Sequence, residues 1–256
     1  MTLGRFSLIT TVLLSVCGVA GAATVTLDTN SYNFALNNGG GGAAATINKA
    51  ENVEIFCVDF ANDIYVPVQG YSAYLTTLTS GSDLSDTRFG EVASGNWTLM
   101  STPSIDTTDA NTVNGSSDLG RYQMAAYLVS TYNLAAGNTA TNNGIQQAIW
   151  DILDPKSYAA VYNTATDNAI EAAAQWYTSM GGNAGSTALN NFLANYRIVS
   201  SATMTSCGTG LPLCGGFQEQ ITVVPEPRHL ALMLMGFMLI GLAVFRKVRA
   251  AQGSNA

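Results

Sequence analysis

The sequence predicts an α+β chain: a β-sandwich or barrel with an inserted helical lobe, preceded by a signal peptide and followed by one transmembrane helix. Three observations carry this. Segments of period two lie toward both ends of the central region, and segments of period 3.6 fill its middle. Uncharged apolar stretches stand near the two extremes, at 6–19 and 230–245. The span between them, 23–224, is about 200 residues, enough for one domain with a substantial core.

The elements follow in order. Residues 1–22 carry Arg5, the apolar stretch Phe6 to Val19 and Ala20-Gly21-Ala22, an Ala-x-Ala cleavage site, so a secretory signal cut after Ala22 is expected. Cys17 invites a lipoprotein reading, but Val16 is large for the residue before a lipidated cysteine. Thr24-Val25-Thr26-Leu27 has strand period, and Asn37-Asn38 with Gly39 to Gly42 reads as a flexible turn. Val53 to Phe60 predicts a strand with Val53, Ile55, Cys57 and Asp59 on one face. Tyr65 to Leu78 predicts another strand pair. The stretch Ser80 to Ser117 is polar. Its Asp106, Asp109, Asn111, Asn114 and Asp118 do not have helix-loop-helix calcium spacing, so a polar loop is the reading and no metal or cofactor is expected.

Helical period then takes over. Asp118 is placed to cap a helix with Leu119, Tyr122, Ala126 and Val129 on one face. Thr141 to Gly144 leads into a helix from Ile145 to Leu153. There Ile145, Ala148, Ile149 and Ile152 form one stripe, and Gln146, Trp150 and Leu153 form a second beside it. Two adjacent stripes imply a helix buried on most sides, with Gln146 among the buried positions. Asp154-Pro155 ends it. Thr166 to Thr178 and Ser186 to Tyr196 predict shorter helices, and Arg197 to Ser200 and Phe217 to Val224 closing strands. No internal repeat is present.

Composition excludes several functions. Within 23–224, 16 acids against 5 bases give a net charge of −11, a surface that repels nucleic acid. The single histidine is His229, outside that span, so the central domain has no Ser-His-Asp triad, Cys-His dyad or HExxH site. A carboxylate-dependent hydrolase is left open, although no spacing singles out an acid pair.

The chain's last segment is Pro225-Glu226-Pro227, Arg228-His229, the apolar run Leu230 to Phe245, and Arg246-Lys247-Val248-Arg249. Sixteen residues span about 24 Å as a helix, and flanking arginines reach the rest of a ~30 Å hydrocarbon core. Arg246, Lys247 and Arg249 form a cytoplasmic stop, leaving the bulk outside. Motif, helix (229–245) and basic end resemble the PEP-CTERM sorting signal of Gram-negative, exopolysaccharide-producing bacteria. That resemblance covers 225–249 and leaves 250–256 as a short cytoplasmic tail. It implies recognition by exosortase, a membrane cysteine protease, with the protein held in the inner membrane before processing and then released to the cell surface or matrix. Pro225 and Pro227 keep the motif extended and poor in backbone donors.

Signal cleavage leaves three cysteines. Cys207 and Cys214 flank a tight Gly/Pro loop suited to a local disulfide in an oxidising compartment, which leaves Cys57 over. Phe56-Cys57-Val58-Asp59 and Ile145-Gln146-Gln147-Ala148-Ile149-Trp150 resemble the two signatures of bacterial surface thioester domains. In that family a cysteine sulfur and a glutamine carbonyl carbon join with loss of ammonia, and the product captures a partner amine. The resemblance covers roughly 53–153 and implies a β-sandwich with a helical lobe. Gln146 is preferred to Gln147 because it shares a stripe with Trp150 and Leu153. Cys57 as an inert core thiol or in an intermolecular disulfide remains open. The functional expectation is a non-enzymatic adhesion protein of the cell surface, binding an extracellular polysaccharide or surface protein. A structural matrix protein without the thioester is the alternative.

Overall fold

In the computed structural model the described residues are 23–27, 40–47, 50–60, 70–90, 92, 105–154, 163–209 and 211–223. The expected signal peptide, the Pro225-Glu226-Pro227 motif, the 229–245 helix and the stop at Arg246, Lys247 and Arg249 lie outside them. Among the described residues no helix is long and apolar enough to cross a membrane.

The chain is α+β. Strands β1 (Ala23–Leu27), β2 (Gly42–Ile47), β3 (Ala50–Cys57) and β4 (Tyr71–Thr77) come first. Helices α1 (Thr107–Gly115), α2 (Asp118–Thr131), α3 (Ala140–Leu153), α4 (Thr164–Ser179) and α5 (Thr187–Leu193) follow. Then come β5 (Tyr196–Ser201), the short hairpin β6 (Thr205–Ser206) and β7 (Leu213–Cys214), and β8 (Gln220–Val223). Six strands close into a barrel in the order β1-β2-β3-β8-β5-β4, with every neighbouring pair antiparallel. The helices therefore enter the barrel's connectivity between β4 and β5.

Each strand face has its own partner. The pairs Phe56↔Ile221 and Ile198↔Ile221 put three apolar side chains on one face, where they join the helices in the larger core cluster. Val25, Ala43, Ala45, Val53, Ile55, Ala73 and Val199 form a second cluster. Its small alanines among branched residues suit the narrow interior of a small barrel. Tyr127, Trp176, Phe192 and Tyr196 meet ring to ring in succession and tie α2, α4, α5 and β5 together.

Several boundaries differ from the sequence expectation. The expected loop 80–117 contains α1, whose N-cap is Asp106, its side chain accepting from Thr108 N. Ser117, not Asp118, caps α2, with its hydroxyl accepting from Gly120 N. Thr141 to Gly144 are the first turns of α3 rather than a lead-in, because Thr139 caps that helix. Gly144 is there for packing: a Cβ would stand 2.6 Å from the Ala165 carbonyl carbon of α4. The strand of 53–60 stops at Cys57, and within 65–78 the described portion holds a single strand. Gly42 opens β2, which the alanine-rich sequence did not announce.

Candidate functional site

Cys57 is the last residue of β3 and Gln146 lies inside α3. Both are 0% exposed. The fold brings them together at the seam between barrel and helices. Gln146 Nε2 donates to the main-chain carbonyl of Cys57 at 2.8 Å, and Gln146 Oε1 accepts from Gly41 N at 2.9 Å. Gly41 also accepts from Cys57 N, at 3.3 Å. The glutamine carboxamide is thus fixed at both ends in a desolvated place, where an unmet amide would be costly. The Cys57 thiol donates to Asp59 O at 3.3 Å.

Trp150, one turn beyond Gln146, packs against Cys57. Phe60 lies edge-on to it with ring centroids 4.9 Å apart and is 38% exposed. Steric room here depends on glycine. A Cβ on Gly40 would stand 2.5 Å from the Trp150 ring and 2.9 Å from Gln146 Cγ, and Gly41 has φ 110°. The expected flexible turn is, at Gly40 to Gly42, a tight wall of the site. Gln147, the rival glutamine, faces elsewhere: its Oε1 accepts from Asn163 Nδ2 at 2.7 Å and Thr166 Oγ1 at 2.8 Å at the start of α4.

A charged shell stands behind the cysteine, and most of it has no signature in the local sequence. Arg88 pairs with buried Asp59, Nε to Oδ2 at 2.5 Å. Its guanidinium also donates to Leu213 O at 2.6 Å, Gly215 O at 2.9 Å and Phe217 O at 3.2 Å. Its main-chain N donates to Glu219 Oε2 at 2.7 Å. Glu219 further accepts from Ser200 Oγ at 2.6 Å and from the Tyr122 hydroxyl. Burial pushes the Glu219 acid up to about 7, against the lowering effect of those donors and Arg88. The one sequence hint was that Arg88 is among only five cations in a strongly acidic span. Asp59 O also accepts from Gln218 Nε2 at 2.7 Å, so the strand exit below Cys57 is braced from two sides.

Cys207 and Cys214 form the expected disulfide, with Cα atoms 5.7 Å apart, across the β6–β7 hairpin. A cleft of about 320 Å³ lies between this hairpin and the Asp59–Arg88 pair, with Asp154 on its wall. Two acids in a cleft is what a carboxylate hydrolase would present, but Asp59 is committed to Arg88. Among the described residues no group of three or more His, Cys, Asp or Glu side chains is arranged to hold a metal ion. Comparison with family models, with curated proteins and with solved structures returns no match.

Proposed function

We propose that this is an exported surface protein whose central domain carries an internal thioester between Cys57 Sγ and Gln146 Cδ. It would act in adhesion by capturing a partner amine, such as a lysine side chain, in one covalent event per molecule. The supporting observation is the Gln146 carboxamide, fully buried and hydrogen-bonded to the main chain of Cys57 itself. The sulfur belongs to that same residue, so ring closure asks for local side-chain movement and loss of the Cys57–Asp59 hydrogen bond. A thiolate is a strong nucleophile and a good leaving group, which suits it to both halves of the reaction. Burial shields the product from water until an amine enters. Delivery is proposed to follow the PEP-CTERM route: export, retention by the 229–245 helix, and exosortase processing at Pro225-Glu226-Pro227.

A second reading, a structural matrix protein with the same delivery and an inert thiol, draws on the Cys57–Asp59 hydrogen bond. Intact mass separates the two. Thioester formation removes ammonia, so the mature protein should be about 17 Da lighter than its sequence after allowing for the disulfide. Cys57→Ala should abolish that loss, and methylamine should add to the wild type alone. A wild-type mass without the deficit refutes the thioester.

A further inference from the structure

We propose that the main-chain N–H of Gly41 is the oxyanion donor of this centre, acting on the Gln146 carbonyl oxygen when the thioester forms and again when an amine opens it. This rests on the thioester reading. The N–H sits 2.9 Å from Gln146 Oε1, within the range at which a donor stabilises developing negative charge. It is the polar hydrogen aimed at the carbonyl that would react, in a place from which water is excluded.

The chemistry balances as follows. Cys57 Sγ bonds to Gln146 Cδ, and the carbonyl π pair moves onto Oε1, where the Gly41 N–H meets it. Collapse of that intermediate breaks the Cδ–Nε2 bond. The thiol proton passes to the leaving nitrogen, and ammonia departs. In capture, an amine nitrogen bonds to Cδ, the oxyanion forms again on Oε1, and the Cδ–Sγ bond breaks. The amine's proton goes to sulfur and the Cys57 thiol is restored. The carbonyl oxygen stays in place through both reactions, so one donor serves each.

The neighbouring geometry explains why the donor belongs to a glycine. Gly41 has φ 110°, a conformation other residues adopt only under strain. In that conformation its N–H reaches Gln146 while its carbonyl accepts from Cys57 N at 3.3 Å. One residue therefore holds the main chain of the nucleophile and the oxygen of the electrophile. Gly40 completes the wall, since any Cβ there would displace Trp150 and Gln146. Glycines at 40 and 41 thus do separate jobs, one of space and one of donation.

The test replaces the Gly41 N–H by oxygen, with glycolate incorporated at 41 in the full chain by nonsense suppression. The main-chain shape is kept and one donor is lost. Loss of one oxyanion donor should slow both ammonia release and methylamine incorporation about 100- to 1000-fold, read by mass against time. Thermal unfolding and the intact Cys207–Cys214 bond report folding. An ester variant that folds and reacts at the wild-type rate overturns the proposal and leaves the thioester reading standing. A wild type that never loses ammonia overturns both. Should the ester variant not fold, isotope-edited infrared on wild type with ¹³C-labelled glutamine decides. The thioester carbonyl band should fall below that of a simple alkyl thioester in hydrocarbon solvent, because the buried oxygen accepts a hydrogen bond. A band at the hydrocarbon position overturns the proposal.

Discussion

Raising the pH from 5 to 8 should destabilise the folded protein, with Glu219 and Asp151 as the largest contributors. Its carboxyl is 0% exposed, and burial lifts it from an ordinary 4.5 to about 7. The folded state therefore holds a proton that the unfolded state has released. Stability from this group is fully present below about pH 4.5 and is lost as pH rises through 7. A shift of that size corresponds to about 3 kcal/mol. Asp151, lifted to about 7 by burial first and nearby Asp167 second, works in the same direction. For a domain of this length 3 kcal/mol lowers Tm by roughly 6–12 °C.

Glu219→Gln makes the reasoning sharp. The carboxylate accepts from Arg88 N and Ser200 Oγ on one oxygen and from the Tyr122 hydroxyl on the other. A glutamine placed with its oxygen toward Arg88 and Ser200 keeps two of these. Its amide then donates to the Tyr122 oxygen, which can reverse its role. The variant should match wild type near pH 5, exceed it by up to about 3 kcal/mol at pH 8, and reduce the pH slope by Glu219's share while that of Asp151 persists. Urea unfolding at both pH values, with the disulfide intact, measures this. A wild-type stability that holds or rises toward pH 8 refutes the argument. So does a glutamine variant less stable than wild type at pH 8, which would mean that the ionised carboxylate is the preferred form.

Two further outcomes follow from packing. Gly144→Ala places a methyl 2.6 Å from the α4 backbone, so α3 and α4 must separate, and urea titration should show a loss of about 1–3 kcal/mol. Because α3 also carries Gln146, the same variant should slow the appearance of the lighter mass. Removing Cys207 and Cys214 together opens a loop with a sequence separation of 7 and should cost about 2 kcal/mol. The exposed hairpin should then be cut faster by protease, while the mass deficit expected from the proposed thioester should be unchanged.

What the sequence made legible was whatever local periodicity and composition encode. The stripe of Gln146, Trp150 and Leu153 marked a helix buried on most sides, and all three are buried. The Gly/Pro loop between Cys207 and Cys214 marked their pairing. What stayed hidden was set by distant partners. β2 reads as Gly-Ala-Ala-Ala, a helix-tolerant run, and becomes a strand because β1 and β3 flank it in the barrel. Helix α1 lacks a strong apolar stripe and packs on α4 through few residues, so polar composition masked it. Glu219 and Arg88 are 131 positions apart, and no pattern in either segment names the other.

The same distance argument bears on the site. Gln146 reaches Cys57 and Gly41 across separations of 89 and 105 residues, whereas Gly41 and Cys57 are joined locally through the β2–β3 pair. Their hydrogen bonds need the β2–β3 pairing and the docking of α3 at once. On the thioester reading proposed above, a glutamine placed by such contacts stays idle until barrel and helical lobe have both closed. Rigid elements also set the tolerance. Cys57 ends a strand braced through Asp59 by Arg88 and Gln218, and Gln146 rides a helix walled by Gly40 and Trp150. A loop-borne pair would wander by more than the roughly 0.5 Å within which a reacting pair must be held. On this view the Asp59–Arg88 pair, buried and costly to desolvate, acts as a positioning device for the cysteine rather than as a source of net stability.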